Sequence, residues 1–162
     1  MEALSHGGVD FAVYYYNPNI HPLDEYKRRK AHNKRFAEKL GIPFVDADYD
    51  PENWRARVKG LEKEPERGAR CTVCFSMRLE KAALYAHKNG FDALATSLGM
   101  SRWKNLDQVN ECGRKAAGKY PRLLFWDKNW RKEGGTELGA LISRREGFYR
   151  QKYCGCEYSK KC

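Results

Sequence analysis

Two periods of apolar and polar residues alternate along this chain, and the switches between them outline a fold. "VDFAVYYYNPN" opens with a β-branched and aromatic run and stops at Asn-Pro-Asn, the pattern of a buried strand ending in a turn. From Asp24 to Leu40 the period lengthens. Tyr26, Phe36, Ala37 and Leu40 fall on roughly one face, Gly41 is the stop signal, and Lys27, Arg28, Arg29, Lys30, Lys34 and Arg35 form a strongly basic outer face, so a helix is predicted. "IPFVDADYD" reads as a second strand, and Asp50-Pro51-Glu52 as a helix start with Asp as N-cap and Pro in the first turn. Helical spacing returns from Cys71 to Lys88, with Met77, Leu79, Ala82, Ala83, Leu84 and Ala86 supplying apolar surface and Gly90 ending it. "FDALATSL" predicts a third strand, Asn105 to Lys119 a helix, and "RLLFW" a fourth strand. A last helix starts near Thr136 and runs to about Arg145, and the tail from Gly147 to Cys162 has little period and much Tyr, Lys and Cys.

Strand and helix alternate, which predicts the α/β class: a parallel sheet with helices on both faces. With no internal repeat and no Gly-, Ser- or Pro-rich linker, the 162 residues read as a single domain, a body over 1–146 and a cysteine-rich tail over 147–162. Ligands of such sheets sit at the carboxyl ends of the strands, where Asn17, Pro18, Asn19, Asp46, Asp48 and Ser97 would gather.

Charge changes the picture next. Thirty-one basic residues against 21 acidic ones leave a net charge of +10, which favours a polyanionic partner, although a solvated basic surface gives the same count. No stretch approaches the roughly 18 apolar residues of a membrane span, and "MEALSHGGVDF" is neither basic nor apolar enough for a signal peptide. The expected location is the cytoplasm, where six cysteines are placed for metal or redox chemistry rather than for structural disulfides.

Cys71-x-x-Cys74 stands at a helix start, where both sulfurs would share the first turn and the helix dipole would favour thiolate. In Cys154-Gly-Cys156 the glycine allows turns that bring both sulfurs to one site. Two pairs make four thiolates, enough for tetrahedral zinc or an iron–sulfur cluster. A thioredoxin-like redox pair should follow a strand directly, and "EPERGA" is not one; a zinc finger needs its pairs close together. A long-range structural zinc site stays open. Cys112 reads as an ordinary small side chain within a helix, and Cys162 as a bystander.

Four segments together, "YYYNPNIHPLDEYKRR", "RCTVCFSMRLEKAA", "TSLGMSRWKN" and "GFYRQKYCGCEYS", resemble the QueH-type epoxyqueuosine reductases, in the same order and from about Val13 to Ser159. The resemblance implies an adenine-nucleotide alpha-hydrolase-like (HUP) fold that reduces epoxyqueuosine to queuosine in tRNA anticodon loops. It implies a [4Fe-4S] cluster with a second metal ion, iron, close by, and Cys71, Cys74, Cys154 and Cys156 as metal ligands. It gives a tRNA partner to the basic patches Lys27–Lys30, Arg144–Arg145 and Arg150–Lys152, and substrate or phosphate contacts to Asn17, Asn19, Arg78, Arg150 and Gln151. Tyr149 and Tyr153, beside the cysteines, are the catalytic candidates, placed to stack on an extruded base or donate a proton; packing of the tail is the other reading of each. An external electron donor is implied, since no nicotinamide or flavin fingerprint is present.

The sequence departs from that pattern in one respect. The family opens with a strand and a Cys-Cys motif of the form "HVCCAPC", and nothing like it precedes "VDFAVYYYNPN". The expectation is a true start upstream of Met1, with Met1–Leu4 lying inside the helix that follows the motif. Without that strand, Ala12, Tyr14 and Leu94 are expected to lack a neighbour. The alternatives are an inactive shorter member of the family, a non-catalytic RNA-binding protein with a structural zinc site, and an ATP-using HUP enzyme. The last is disfavoured by the lack of a Gly-rich "SGGxDS" loop.

Overall fold

Strand β1 (Val13–Tyr15) and strand β2 (Phe44–Asp46) lie parallel, with Val13 opposite Phe44, Tyr14 opposite Val45 and Tyr15 opposite Asp46. Both come from the β-branched and aromatic runs, whose side chains suit a half-buried pleated surface. The structure is a computed structural model, and it describes residues 8–159. Helix α1 (Leu23–Lys39) crosses from one strand to the other, with Asp24 and Glu25 in its first turn and Lys39 in its last, each sign matched to the helix dipole. Gly41 ends it in the left-handed conformation, at φ +67°. Helix α2 (Pro51–Val58) has Pro51 in its first turn as predicted. Asp50 occupies the cap position, but its carboxylate accepts from Asn53 Nδ2 at 2.9 Å and from no backbone N–H of the helix.

Helix α3 (Ala69–Lys88) leads to β3 (Ala93–Leu94), a 3-10 turn at Ser97–Met100, α4 (Leu106–Ala117), β4 (Leu124–Phe125) and α5 (Gly135–Arg145). A last 3-10 turn spans Glu157–Ser159. Asn105 caps α4, its Oδ1 accepting from the backbone N–H groups of Asp107 and Gln108. No helix among the described residues is long and apolar enough to cross a membrane.

The α/β alternation and the parallel direction agree with the sequence. The expected continuous sheet is instead two parallel pairs, β1–β2 and β3–β4, among the described residues. The strands are also shorter than their apolar runs, for local reasons. Thr96 Oγ1 accepts from Leu98 N at 3.2 Å and turns "TSL" into the 3-10 segment, while Arg122 at φ +75° breaks "RLLFW" before its middle. Two side chains expected to lack a neighbour have one. Leu94 is buried in the core beneath α3 and α4, and the Tyr14 ring lies 4.8 Å from that of Tyr85 on α3. The reading of Met1–Leu4, and Cys162, lie outside the described residues.

Three apolar clusters hold these elements. One joins Phe75, Leu79, Ala83 and Ala86 of α3 to Val109, Cys112, Ala116 and Ala117 of α4. The small residues let the two helices approach closely, and Phe125 packs against Gly113, where any Cβ would collide with the ring. Cys112 is buried here as a small side chain, in line with the sequence reading. A second cluster gathers Tyr16, Trp54, Val58, Cys74, Met77 and Cys156, and a third Tyr15, Ile20 and Tyr26.

Candidate metal centre

Helix α3 begins at Ala69, so Cys71 falls in its first turn and Cys74 one turn further in. That corrects the expectation that both sulfurs share the first turn. Cys154 and Cys156 arrive from the tail, on either side of Gly155 at φ +106°. A Cβ on Gly155 would sit 2.9 Å from both Arg29 Nη1 and Ile20 Cγ1, so the tail passes here only as glycine. Cys71, Cys154 and Cys156 line one cleft of about 20 Å³ with Arg70, Trp103 and Lys104. Cys74 stands behind it, packed in the cluster that holds Cys156. Lys104 Nζ donates to Cys154 Sγ at 3.4 Å.

Burial governs the thiols. It raises Cys71, although the Arg67 backbone N–H reaches the sulfur at 3.3 Å, and it raises Cys156. Cys74, the deepest, is pushed up to about 11 by burial. The thiolate expected from the helix N-terminus is therefore outweighed by desolvation, and the dipole fades beyond the first turn. Among the described residues, no three His, Cys, Asp or Glu side chains stand close enough together to hold an ion.

The surroundings nevertheless suit an anionic, sulfur-ligated centre. Arg70 is 2% exposed, and no carboxylate forms an ion pair with it among the described residues. Its Nη1 donates to the carbonyls of Leu61, Glu62 and Glu64 at 3.0, 2.7 and 2.6 Å. Its Nε has no partner, and neither has Trp54 Nε1. The guanidinium lowers the charging cost of Cys71 and Cys156, and the Trp54 indole that of Cys74. A buried cation without a carboxylate favours an anion beside it, and thiolates on a soft metal would be one. In donor type and number the four cysteines fit such a metal, while the ligand set is not closed beforehand.

A polar clamp seats the tail. Arg29 donates through Nε to Glu25 Oε1 at 2.8 Å, through Nη1 to the Cys154 carbonyl at 3.0 Å and through Nη2 to the Tyr153 carbonyl at 3.0 Å. Both Arg29 and Glu25 are 8% exposed. The basic stretch Lys27–Lys30 therefore contains one arginine that faces inward, because the helix turns it toward the tail. Tyr149 donates to Glu25 Oε2 at 3.0 Å, the Tyr153 hydroxyl to the His21 carbonyl, and Arg55 joins Glu157 at 2.9 Å.

The other predicted site residues are scattered. Arg78 donates to the Asn17 side chain and to the Tyr16 carbonyl. Asn19 is 2% exposed, its Oδ1 without a partner. Arg150 and Gln151 are exposed, as are Lys27, Arg28, Arg144, Arg145 and Lys152. Sequence reasoning missed Arg70, Trp54, Lys104 and the clamp role of Arg29. Arg70 could have been suspected as the cation adjoining Cys71, and Lys104 from its motif; nothing local marks Trp54 or the inward turn of Arg29.

A parallel α/β chain with three cysteines from two distant pairs on one cation-bearing cleft, and the fourth behind it, is the class that fold and site define. A family profile described as "Epoxyqueuosine reductase QueH" matches residues 1–162. Proteins with that name from Histophilus somni and Haemophilus influenzae are 61% and 60% identical over 159 residues, covering 98% of this chain and 65% of each relative. One from Thermotoga maritima is 35% identical over 153 residues, covering 93% of this chain and 79% of the relative. The chain belongs to the QueH family, and it spans 65% of the length of the first two relatives.

Proposed function

We propose that this protein is an epoxyqueuosine reductase, an oxidoreductase that converts epoxyqueuosine to queuosine in the anticodon loop of tRNA on a HUP-like α/β scaffold. The observation that carries the reading is the placing of Cys71, Cys154 and Cys156 on one cleft, with Cys74 packed behind it and Arg70 beside it, in a chain of this family.

Removing the epoxide oxygen as water takes two electrons and two protons, and an external donor supplies the electrons. Cys71, Cys74, Cys154 and Cys156 would hold a [4Fe-4S] cluster or divide their sulfurs between it and the second metal ion. Such a centre would supply electrons singly at low potential and a Lewis acid for the epoxide oxygen. The protein's own groups have simpler tasks. Arg70 holds thiolate charge in a buried place, and Lys104 keeps an ammonium 3.4 Å from Cys154 Sγ. Arg29 fixes the carbonyls on either side of the Tyr153–Cys154 peptide bond. Tyr149 and Tyr153 serve by holding the tail through Glu25 and His21. The exposed cations of α1, α5 and the tail suit a phosphate backbone. The described cysteines are all free, as a reducing cytoplasm would keep them.

The test is anaerobic reconstitution with iron and sulfide, then incubation with epoxyqueuosine tRNA and a reductant. Queuosine in the nucleoside digest is expected, and a cluster-loaded full-length protein without turnover would sink the reading. Cys154→Ser and Cys156→Ser should each lose bound iron; unchanged iron in both would remove the centre from these residues. A second reading follows from the small cleft and four thiols, which also suit a single tetrahedral zinc in a non-catalytic RNA-binding protein. A colourless, zinc-loaded native protein would favour it, and a brown one the reductase.

A further inference from the structure

The rim of the thiol cleft carries an indole that the packing does not use. Trp103 is 63% exposed, whereas Trp54 is 1% exposed in the core. Trp126 and Trp130 pack against each other with ring centroids 5.1 Å apart, and no ring pairs with Trp103 among the described residues. Leaving so large an apolar surface in water is unfavourable, yet the backbone beneath it is tied down. Arg67 Nε donates to the Trp103 carbonyl at 2.9 Å and Nη2 to the Arg102 carbonyl at 3.4 Å. Arg67 itself is held at φ +71°, a conformation costly for a side chain of that size, and Gln108 Nε2 anchors its carbonyl at 3.0 Å. The Lys104 N–H closes the turn onto the Ser101 carbonyl at 3.1 Å. A strained residue thus fixes a loop whose main product is a ring held in solvent at the mouth of the cleft.

The charges around the ring suit one kind of occupant. The Arg102 guanidinium lies 4.8 Å from the Trp103 ring centroid, and Lys104 borders the same cleft. None of Arg67, Arg102 and Lys104 enters an ion pair among the described residues, and the whole chain carries +10. A flat π surface bordered by Arg67, Arg102 and Lys104, with Glu66 the one acid on the cleft, matches an unpaired nucleobase and its flanking phosphates better than it matches an apolar peptide. We propose that Trp103 is a stacking platform for an unpaired base of an RNA strand, held beside the cysteine cleft, with Arg102 against an adjoining phosphate. The proposal rests on the tRNA reading above and adds the residue that presents the strand to the site.

The experiment measures binding of an unmodified anticodon stem-loop RNA, and of a blunt RNA duplex of equal length, by fluorescence anisotropy. It uses the full chain, Trp103→Ala and Trp103→Phe. Trp103→Ala is expected to weaken stem-loop binding by roughly 5- to 150-fold, the loss for one stacked base. Trp103→Phe should keep most of the affinity, and duplex binding and the salt slope should stay as in the parent, because no phosphate contact is removed. Equal stem-loop affinity in Trp103→Ala and the parent overturns the platform and leaves the tRNA reading standing. An equal loss on loop and duplex overturns it too, as a charge or folding effect. No RNA binding by the parent protein overturns both.

Discussion

The two faces of helix α3 are built on opposite principles. Toward α4, Phe75, Leu79, Ala83 and Ala86 meet Val109, Ala116 and Ala117, and no charged residue belongs to the cluster. Toward the tail, the same helix presents Cys74 and Met77 to Tyr16, Trp54 and Cys156, with Cys71 beside them on the cleft and buried Arg70, Arg29 and Glu25 close by. The first face is stabilised by apolar area, about 1.5–3 kcal/mol for each large side chain taken from water. The second buries charges, which destabilise unless each finds its partner. Glu25 and Arg29 find one another, whereas Arg70 is met by carbonyls and by the Tyr158 ring, 5.5 Å from its guanidinium, and by no carboxylate among the described residues. One face would hold together in any protein. The other leaves a buried cation without a carboxylate among the described residues, an arrangement more usual in a site than in a scaffold.

The contrast breaks most sharply at the clamp. Arg29→Ala takes the buried cation from Glu25, leaving it the Tyr149 hydroxyl at 3.0 Å and the exposed Arg28 at 3.9 Å, and frees the carbonyls of Tyr153 and Cys154. We expect a loss of about 3–5 kcal/mol in urea unfolding and faster alkylation of Cys154 in the native protein. A loss below about 1 kcal/mol, the worth of an exposed pair, would mean that the tail is seated by other contacts. On the opposite face, Leu79→Ala should cost about 2–5 kcal/mol from its cavity while leaving Cys154 alkylation as in the parent. If both substitutions speed alkylation equally, the two faces are one cooperative unit and the distinction fails.

A pH experiment separates the faces more gently. Burial raises Cys74 from an ordinary value near 9 to about 11. Because the folded value is the higher one, its stabilising share is complete below about pH 9 and is lost as pH rises through about 11. Two units correspond to roughly 2–3 kcal/mol. The metal-free protein should therefore show a falling urea midpoint across that window. Cys74→Ala should flatten the first part of the fall, leaving the buried phenols Tyr16 and Tyr26, both raised to about 12, to act at higher pH. An unaltered slope in Cys74→Ala would show that the thiol is not desolvated in solution.

Much of the apolar face was legible in the sequence, and little of the other. Leu79 and Ala83 stood out by helical spacing, Gly41 and Gly90 by the left-handed stops they supply. Strand existence was visible too; strand length was not, since a hydroxyl at Thr96 and a left-handed Arg122 cut the runs short. For the site, spacing marked the cysteines but could not weigh burial against the helix dipole, so the expected thiolates are high-pKa thiols. Arg29 sat in a run of surface cations, and only the phase of α1 against the tail turns it inward. Charges become buried through contacts distant in sequence, Arg29 with Cys154 being one, and a local pattern carries no record of them.

Helix α5 offers the mildest test of where the scaffold stops. None of its residues is buried, and Leu138 and Leu141 are 41% and 56% exposed. It is attached mainly beyond its end, where Lys39 reaches Glu146 at 2.6 Å and Phe36 meets Phe148 edge-on, centroids 4.9 Å apart. A side chain that loses little water on folding has little to lose on substitution, so Leu141→Ser should shift stability by no more than about 0.5 kcal/mol. Set against Leu79→Ala, that small number locates the edge of the apolar face between α4 and α5. A cost above about 1 kcal/mol would place Leu141 out of water in solution. Helix α5 would then belong to a third packed surface, covered by something other than the described residues, and a two-faced account of this molecule would have to give way to it.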